Sequence, residues 1–357
     1  MSANDRFPAI ARDPEAAREH LDADGMDLSR ASGAAGHELE LLSDRAGTFN
    51  SLTFANKQGW RDYKLYVPAG YCGRPMPLIV MLHGCQQDPD DFAMGTRMNS
   101  LADAHGFLVA YPRQTFWFQS ANCWSWFEAG EQRRHGREPS LIAGIATSIS
   151  ANWAVAPGRV FVAGLSAGAA MAVILGQTYP ELFAGVAAHS GLPRGAAQDV
   201  GSAFAAMQGR AARKGRLPYA RSGKPVRTLV LHGDADRTVQ LANGNAITRQ
   251  VVEAFRQAKT PLVTQAIKGR SMAPSIAALT DYKDLSGRVM VRECIVPGGT
   301  HAWFGGCADG SFTEASGLDA SAEVIRFFLH ENASAEHARS DFERAGRGLS
   351  QAAARSD

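Results

Sequence analysis

The chain has 357 residues, of which 45% are hydrophobic and 20% charged, ordinary values for a globular protein. That length allows one large domain or two small ones and can bury a substantial core. The 37 basic and 35 acidic residues nearly cancel to a net charge of +2. Such a balance gives no reason to expect nucleic acid as a partner.

In chain order, residues 1 to 45 are rich in Ala, Asp, Glu, Arg and Ser and poor in large apolar residues. They read as a disordered tail. Asp5, Arg6, Arg12, Asp13, Glu15 and Arg18 interrupt any apolar core of a secretory signal, so the sequence as it stands reads as cytoplasmic. No stretch approaches the roughly 20 apolar residues that cross a bilayer, and no membrane partner is expected.

From residue 46 the pattern changes. Asp62–Val67 alternates as an antiparallel strand does, whereas Pro77–Leu82 is continuously apolar, as in a strand buried on both faces. Further buried strands are expected at Phe107–Tyr111, Val160–Gly164, Gly185–His189, Arg227–His232 and Val289–Val296. A helix is expected over Ala167–Leu175, and an amphipathic helix over Ser321–His330 closes the domain near residue 332. Buried strands separated by helical segments imply an α/β fold: a mostly parallel sheet covered by helices on both faces, with its site at the carboxyl ends of the strands. Residues 333 to 357 again read as a disordered tail.

Two insertions stand out. Residues 113–140 carry Phe116, Trp117, Phe118, Trp124, Trp126 and Phe127, which read either as core or as an amphipathic pocket wall. Residues 207–227 are basic and read as a solvated surface loop. Either is able to cover a pocket.

The chemistry concentrates in four short segments. Gly164-Leu165-Ser166-Ala167-Gly168 fits G-x-S-x-G between a strand and a helix, the setting in which a sharp turn lifts a serine hydroxyl above the sheet. Serine is a weak nucleophile until a base removes its proton. In this fold the order is serine, carboxylate, histidine. Asp236, in His232-Gly233-Asp234-Ala235-Asp236, is the expected carboxylate, with Asp234 bracing the turn. His301, in Pro297-Gly298-Gly299-Thr300-His301-Ala302-Trp303, is the expected base; His330 and His337 lie too far along to compete. His189 reads as a packed histidine and His83 as a strut under the Leu82–Gln86 loop. That loop and the helix start supply the oxyanion donors, the N–H groups of Cys85 and Ala167. Trp124, Trp126 and Trp303 are the candidates to line the substrate pocket. No motif for a metal or cofactor is present, so none is expected. The five cysteines, Cys72, Cys85, Cys123, Cys294 and Cys307, read either as free thiols or as two disulfides and one free thiol.

Taken together, Leu82-His83-Gly84-Cys85, Tyr111-Pro112, Cys123-Trp124-Ser125-Trp126-Phe127, Gly164–Gly168, His232–Asp236 and His301-Ala302-Trp303 stand in the order seen in polyhydroxybutyrate-depolymerase-type esterases. The chain resembles that family over roughly residues 48 to 330. Feruloyl and acetylxylan esterases belong to it as well. The resemblance implies the α/β-hydrolase fold, a serine carboxylic-ester hydrolase, and the roles given above to Ser166, Asp236 and His301. It also implies a Cys85–Cys123 disulfide. Cys294 and Cys307 flank the His301 loop, which leaves a second bridge between them open, with Cys72 free. Similar proteins are often secreted, which stands against the missing signal. With no polymer-binding domain or Thr-rich linker visible, short-chain hydroxyalkanoate oligomers or amorphous polyester fit better than crystalline polymer. Feruloyl or acetyl esters of plant polysaccharide are the alternative substrates. A serine peptidase and a non-catalytic binding protein on the same scaffold are the alternatives of another class. The oligomeric state is not legible in the sequence.

Overall fold

A computed structural model of the chain describes residues 47–114, 121–213, 219, 224–267 and 278–330. The chain divides into two units, residues 1–45 and 46–357, and every described residue belongs to the second. The two tails, the aromatics Phe116, Trp117 and Phe118, much of the basic insertion and His337 lie outside the described residues.

Ten strands form one sheet: β1 (Thr48–Asn56), β2 (Gly59–Val67), β3 (Met76–Leu82), β4 (Leu108–Pro112), β5 (Val155–Leu165), β6 (Gly185–His189), β7 (Arg227–Gly233), β8 (Val263–Ile267), β9 (Ala278–Lys283) and β10 (Val289–Val296). Their order is β1-β2-β4-β3-β5-β6-β7-β10-β9-β8. The middle strands, from β4 to β10 in that order, run parallel, while β1, β2, β8 and β9 pair antiparallel at the edges. A small parallel bridge joins β11 (Trp303–Phe304) to β12 (Thr313–Glu314).

The apolar runs follow from burial on both faces. Successive side chains of a strand point to opposite sides of the sheet. Leu78, Val80 and Leu82 of β3 therefore enter one core layer, and Ile79 and Met81 enter the other. The first layer packs against helices α3 (Arg137–Asn152), α4 (Ala167–Thr178) and α6 (Ala242–Gln257) through residues such as Ile142, Met171 and Ile247. The second packs against α1 (Pro89–Thr96), α2 (Met98–His105) and α7 (Ala320–Ile325) through Phe92, Met98 and Val324. Helix α5 (Val200–Met207) opens with a capping box in which Asp199 and Ser202 satisfy each other's backbone N–H groups. Helix α4 is buried all round, as a helix under the centre of a sheet must be.

The seven expected strands are all present. Strand β1, the antiparallel pair β8 and β9, and helices α1, α2, α3, α5 and α6 were not individually anticipated. The expected closing helix is α-helical only to Ile325 and continues as a π-helical stretch, Arg326–His330, that keeps Phe327, Phe328 and Leu329 in the core. The two insertions are shorter than expected. The first ends inside α3, which starts at Arg137, and the second ends where β7 starts. Arg227, shared between the basic insertion and the expected strand Arg227–His232, is buried in β7, where its guanidinium donates to Val289 O at 2.9 Å and Phe327 O at 3.1 Å.

Candidate active site

Three loops meet at the carboxyl ends of the parallel strands. The first is the turn between β5 and α4. Ser166 occupies φ 56, ψ −116, a backbone conformation that L side chains rarely adopt. Its neighbours must be glycine for a steric reason. A Cβ on Gly164 would lie 2.5 Å from Gly168 C, and a Cβ on Gly168 would lie 2.1 Å from Leu82 O. The Ser166 N–H donates to His189 O at 2.9 Å, which ties the turn to the next strand.

The second and third loops follow β7 and β10, which are neighbours in the sheet. They are zipped together. Asp234 N–H donates to Val296 O at 3.1 Å, Ala235 N–H to Gly299 O at 3.1 Å, and Gly298 N–H to Asp234 Oδ1 at 2.7 Å. Gly233 and Gly299 touch so closely that a Cβ on Gly233 would sit 2.0 Å from Gly299 O. Asp234 thus braces the turn, as expected, and Asp236 is left to face His301.

The result is a continuous line of hydrogen bonds. His301 Nδ1 donates to Asp236 Oδ2 at 2.8 Å, and Ser166 Oγ donates to His301 Nε2 at 2.9 Å. The other oxygen of Asp236 accepts from the backbone N–H groups of Thr238 (2.9 Å) and Val239 (2.8 Å). Burial pushes the Asp236 carboxyl up, but the His301 hydrogen bond and charge, the Val239 N–H and nearby His232 outweigh it and hold it below the usual range. Asp236 is therefore an anion in a buried place, with its lone pairs committed.

Two further histidines surround this line. One of them, His232, opens the motif that carries Asp236. It is buried, donates from Nε2 to Val239 O at 2.7 Å and lies 3.5 Å from Asp236 Oδ2. His189 is packed, as expected: its ring stacks on Trp303, and its Nε2 accepts from Phe304 N–H at 3.3 Å. Burial lowers the pKa of both, so each is a neutral ring.

In the Leu82–Gln87 turn three backbone N–H groups are committed. Gly84 N–H is taken by Gln87 Oε1 (2.9 Å), Gln86 N–H by Ala121 O (2.9 Å) and Gln87 N–H by Gly84 O (3.3 Å). Among the described residues, the Cys85 N–H has no acceptor, nor does the Ala167 N–H at the start of α4. His83 is the strut it was expected to be. Its Nδ1 donates to Gly84 O at 2.8 Å, and its Nε2 accepts from Gln114 N–H at 3.1 Å. Burial lowers its pKa to about 4.

The expected disulfide is present: Cys85 is bonded to Cys123, so the turn is covalently tied to the aromatic insertion. The second bridge left open in the sequence, Cys294–Cys307, is not formed. Cys294 is buried within β10 in the second core layer, whereas Cys307 lies outside the sheet with its Sγ against Asp309. Cys72 is free and exposed.

The three tryptophans expected to line the pocket are core residues instead. Trp124 is 0% exposed, and its indole N–H donates to His83 O at 3.0 Å. Trp303 is 1% exposed and donates to Ser321 Oγ at 2.9 Å. Trp126 is also buried, edge-on to Phe127. Their indoles fill the space beneath the loops because burial of so much apolar surface holds those loops down. Glu138, which the sequence did not single out, anchors the same insertion. It accepts from Ser125 N–H at 2.8 Å and from Gln114 Nε2 at 2.5 Å.

Among the described residues, no group of three or more His, Cys, Asp or Glu side chains is placed to hold a metal, and no helix is long and apolar enough to cross a membrane.

A ten-stranded, largely parallel sheet with helices on both faces and a strained serine at a strand–helix turn defines an α/β-hydrolase. Within that class, the chain belongs to the esterase PHB depolymerase family, whose pattern it matches over residues 61–260. It is 32% identical over 246 residues to poly(3-hydroxyalkanoate) depolymerase C of Paucimonas lemoignei, covering 66% of this chain and 57% of that protein. It is 28% identical over 273 residues to poly(3-hydroxybutyrate) depolymerase of Ralstonia pickettii, covering 71% and 54%. The chain therefore spans little more than half the length of these curated relatives. In structure it resembles an acetyl xylan esterase from Aspergillus awamori, with a TM-score of 0.60 at 20% identity, over 79% of this chain and 99% of that one. That likeness concerns the fold.

Proposed function

We propose that the chain is a serine carboxylic-ester hydrolase, that residues 46–332 form its catalytic domain, and that its substrates are short-chain hydroxyalkanoate esters and their oligomers. The observation that carries the reading is the unbroken hydrogen-bond line from Asp236 through His301 to Ser166. The two depolymerase relatives support the substrate class.

The chemistry follows from the geometry. His301 Nε2 takes the Ser166 proton as Oγ attacks the ester carbonyl. The carbonyl oxygen becomes an anion and faces the N–H groups of Cys85 and Ala167. Asp236 keeps the proton on His301 Nδ1 and stabilises the imidazolium that forms. His301 then gives the proton to the leaving alcohol, and an acyl-enzyme remains on Ser166. Water attacks that ester while His301 acts as base again, which releases the acid and restores the serine.

The test is hydrolysis of p-nitrophenyl acetate, butyrate and octanoate, methyl ferulate, acetylated xylan and a hydroxybutyrate oligomer by wild type and Ser166→Ala. The expected result is turnover of butyrate and the oligomer above the others, with a loss of several orders of magnitude in the variant, as for triad members elsewhere (on the order of 10⁶ in kcat in subtilisin). Preference for acetylated xylan or methyl ferulate would move the substrate to plant polysaccharide esters. A wild type inert on every ester, or an active Ser166→Ala, would overturn the reading.

A further inference from the structure

Gln87 lies two residues beyond Cys85 and is 2% exposed. Its side-chain amide is used at both ends. Oε1 accepts from Gly84 N–H at 2.9 Å, and Nε2 donates to Asp91 Oδ2 at 3.0 Å and to Ser311 O at 3.0 Å, with Ser311 Oγ at 3.3 Å. The orientation of the amide is determined: a backbone N–H is only a donor and a backbone C=O only an acceptor, so a flipped amide would face both wrongly.

Asp91 completes a latch. Its Oδ1 accepts from Ser311 N–H at 2.7 Å and its Oδ2 from Ser311 Oγ at 2.5 Å. Ser311 belongs to the segment that leaves and re-joins the His301 loop. Trp303 N–H donates to Phe312 O at 2.7 Å, and Thr300 Oγ1 donates to Glu314 Oε2 at 3.3 Å. Gly310 is pressed against α1, where a Cβ on it would lie 2.4 Å from Gly95 Cα. One amide therefore joins the turn that carries the Cys85 N–H to the segment that flanks His301.

The turn itself is under tension. Gln86 sits at φ 68, a left-handed conformation unfavourable for a residue with a Cβ. With the Gly84 N–H held by Gln87, the Cys85 N–H is the donor left over. Without Gln87, the Gly84 N–H would be a buried donor lacking its acceptor, and the peptides of this turn would be free to rotate to satisfy it.

We infer that Gln87 is a positioning residue, which aims the Cys85 N–H at the developing oxyanion and fixes that donor relative to His301. The inference rests on the esterase reading above. It differs from a merely structural role in where the loss appears. A donor that acts on the transition state changes kcat and leaves ground-state binding alone.

The experiment compares wild type, Gln87→Met and Asp91→Ala on p-nitrophenyl butyrate, with inhibition by an alkyl trifluoromethyl ketone, whose serine adduct carries the same oxyanion, and with thermal unfolding as a control. Gln87→Met keeps the bulk of the side chain and removes its hydrogen bonds. Its kcat is expected to fall about 10- to 100-fold, short of the roughly 10²- to 10³-fold loss on deleting an oxyanion donor outright. KM should stay within about twofold, and the ketone Ki should rise in step with the loss of kcat/KM. Asp91→Ala cuts only the far end of the latch, and a smaller loss of the same kind is expected; it carries the test if Gln87→Met does not fold. A folded Gln87→Met with near wild-type kcat, a loss confined to KM, or an unchanged Ki would overturn the inference. If Gln87→Met does not fold, an Asp91→Ala with full kcat does the same. A wild type without esterase activity would instead remove the proposed function, an outcome told apart by the wild-type assay alone.

Discussion

Asp236 carries its charge against its surroundings. It is buried, which disfavours an anion, yet its two oxygens receive two backbone N–H groups and the His301 ring. Replacing it with Asn would keep the shape and the backbone contacts through the amide oxygen. The amide NH₂ would then face His301 Nδ1, favour the wrong tautomer and leave Nε2 protonated toward Ser166. A fall in kcat of about 10³- to 10⁴-fold is expected for Asp236→Asn, as for the equivalent change in a serine protease, with KM little altered. Steady-state kinetics at one pH checks it. This residue, with Ser166 and His301, was legible because each stands in a short motif of fixed context. Gln87 was not, because its meaning lies in Ser311, which is 224 residues away in sequence. The roles of Trp124 and Trp303 were misread for a related reason: an aromatic near a motif looks the same in sequence whether it faces the ligand or props up the loop.

At the level of elements, the central strands could be read because burial on both faces leaves a continuous apolar run. Strand β1 escaped because it lies at the edge and is mostly exposed, so no such run marks it. The cysteines divide likewise. Cys85 and Cys123 pair as the family resemblance implied, whereas the proposed partner of Cys307 is sealed in the second core layer. The strand–turn–helix at Ser166 is a tight junction, and it makes its own demand. Gly168→Ala puts a Cβ against backbone atoms of β3 that cannot move aside cheaply. A loss of about 1–3 kcal/mol in denaturant unfolding is expected, the usual cost of overpacking. An activity loss should accompany it, because α4 would have to shift away from the Leu82–Gln87 turn. Gly130→Ala, which meets nothing within 4 Å, should be close to neutral in the same measurements.

For the whole molecule, the sheet brings loops from β3, β5, β7 and β10 to one rim, so the site depends on the global fold and on the conditions that preserve it. Buried neutral histidines set one such condition. His83 titrates near 6.5 when exposed and at about 4 when folded, because burial penalises its charge. Above about pH 6.5 neither state binds the proton and nothing is lost. Between about 6.5 and 4 the unfolded chain takes up a proton that the folded chain refuses, so stability falls as pH falls, by about 3 kcal/mol at most for this residue. His189 and His232 act in the same direction, whereas Glu138, whose carboxyl burial raises, acts in the opposite one. The comparison that isolates His83 is the urea midpoint of wild type and His83→Gln at pH 7.5 and 5.0, with a shallower pH dependence expected in the variant. The claim on which everything else rests is that Ser166 is an activated nucleophile. Its most direct test is stoichiometric labelling with a p-nitrophenyl alkylphosphonate, followed by mass spectrometry of the peptides. One adduct per chain on Ser166, absent in Ser166→Ala and slowed in Asp236→Asn, is the expected result. Folded protein that takes up no label, or takes it up elsewhere, would contradict it.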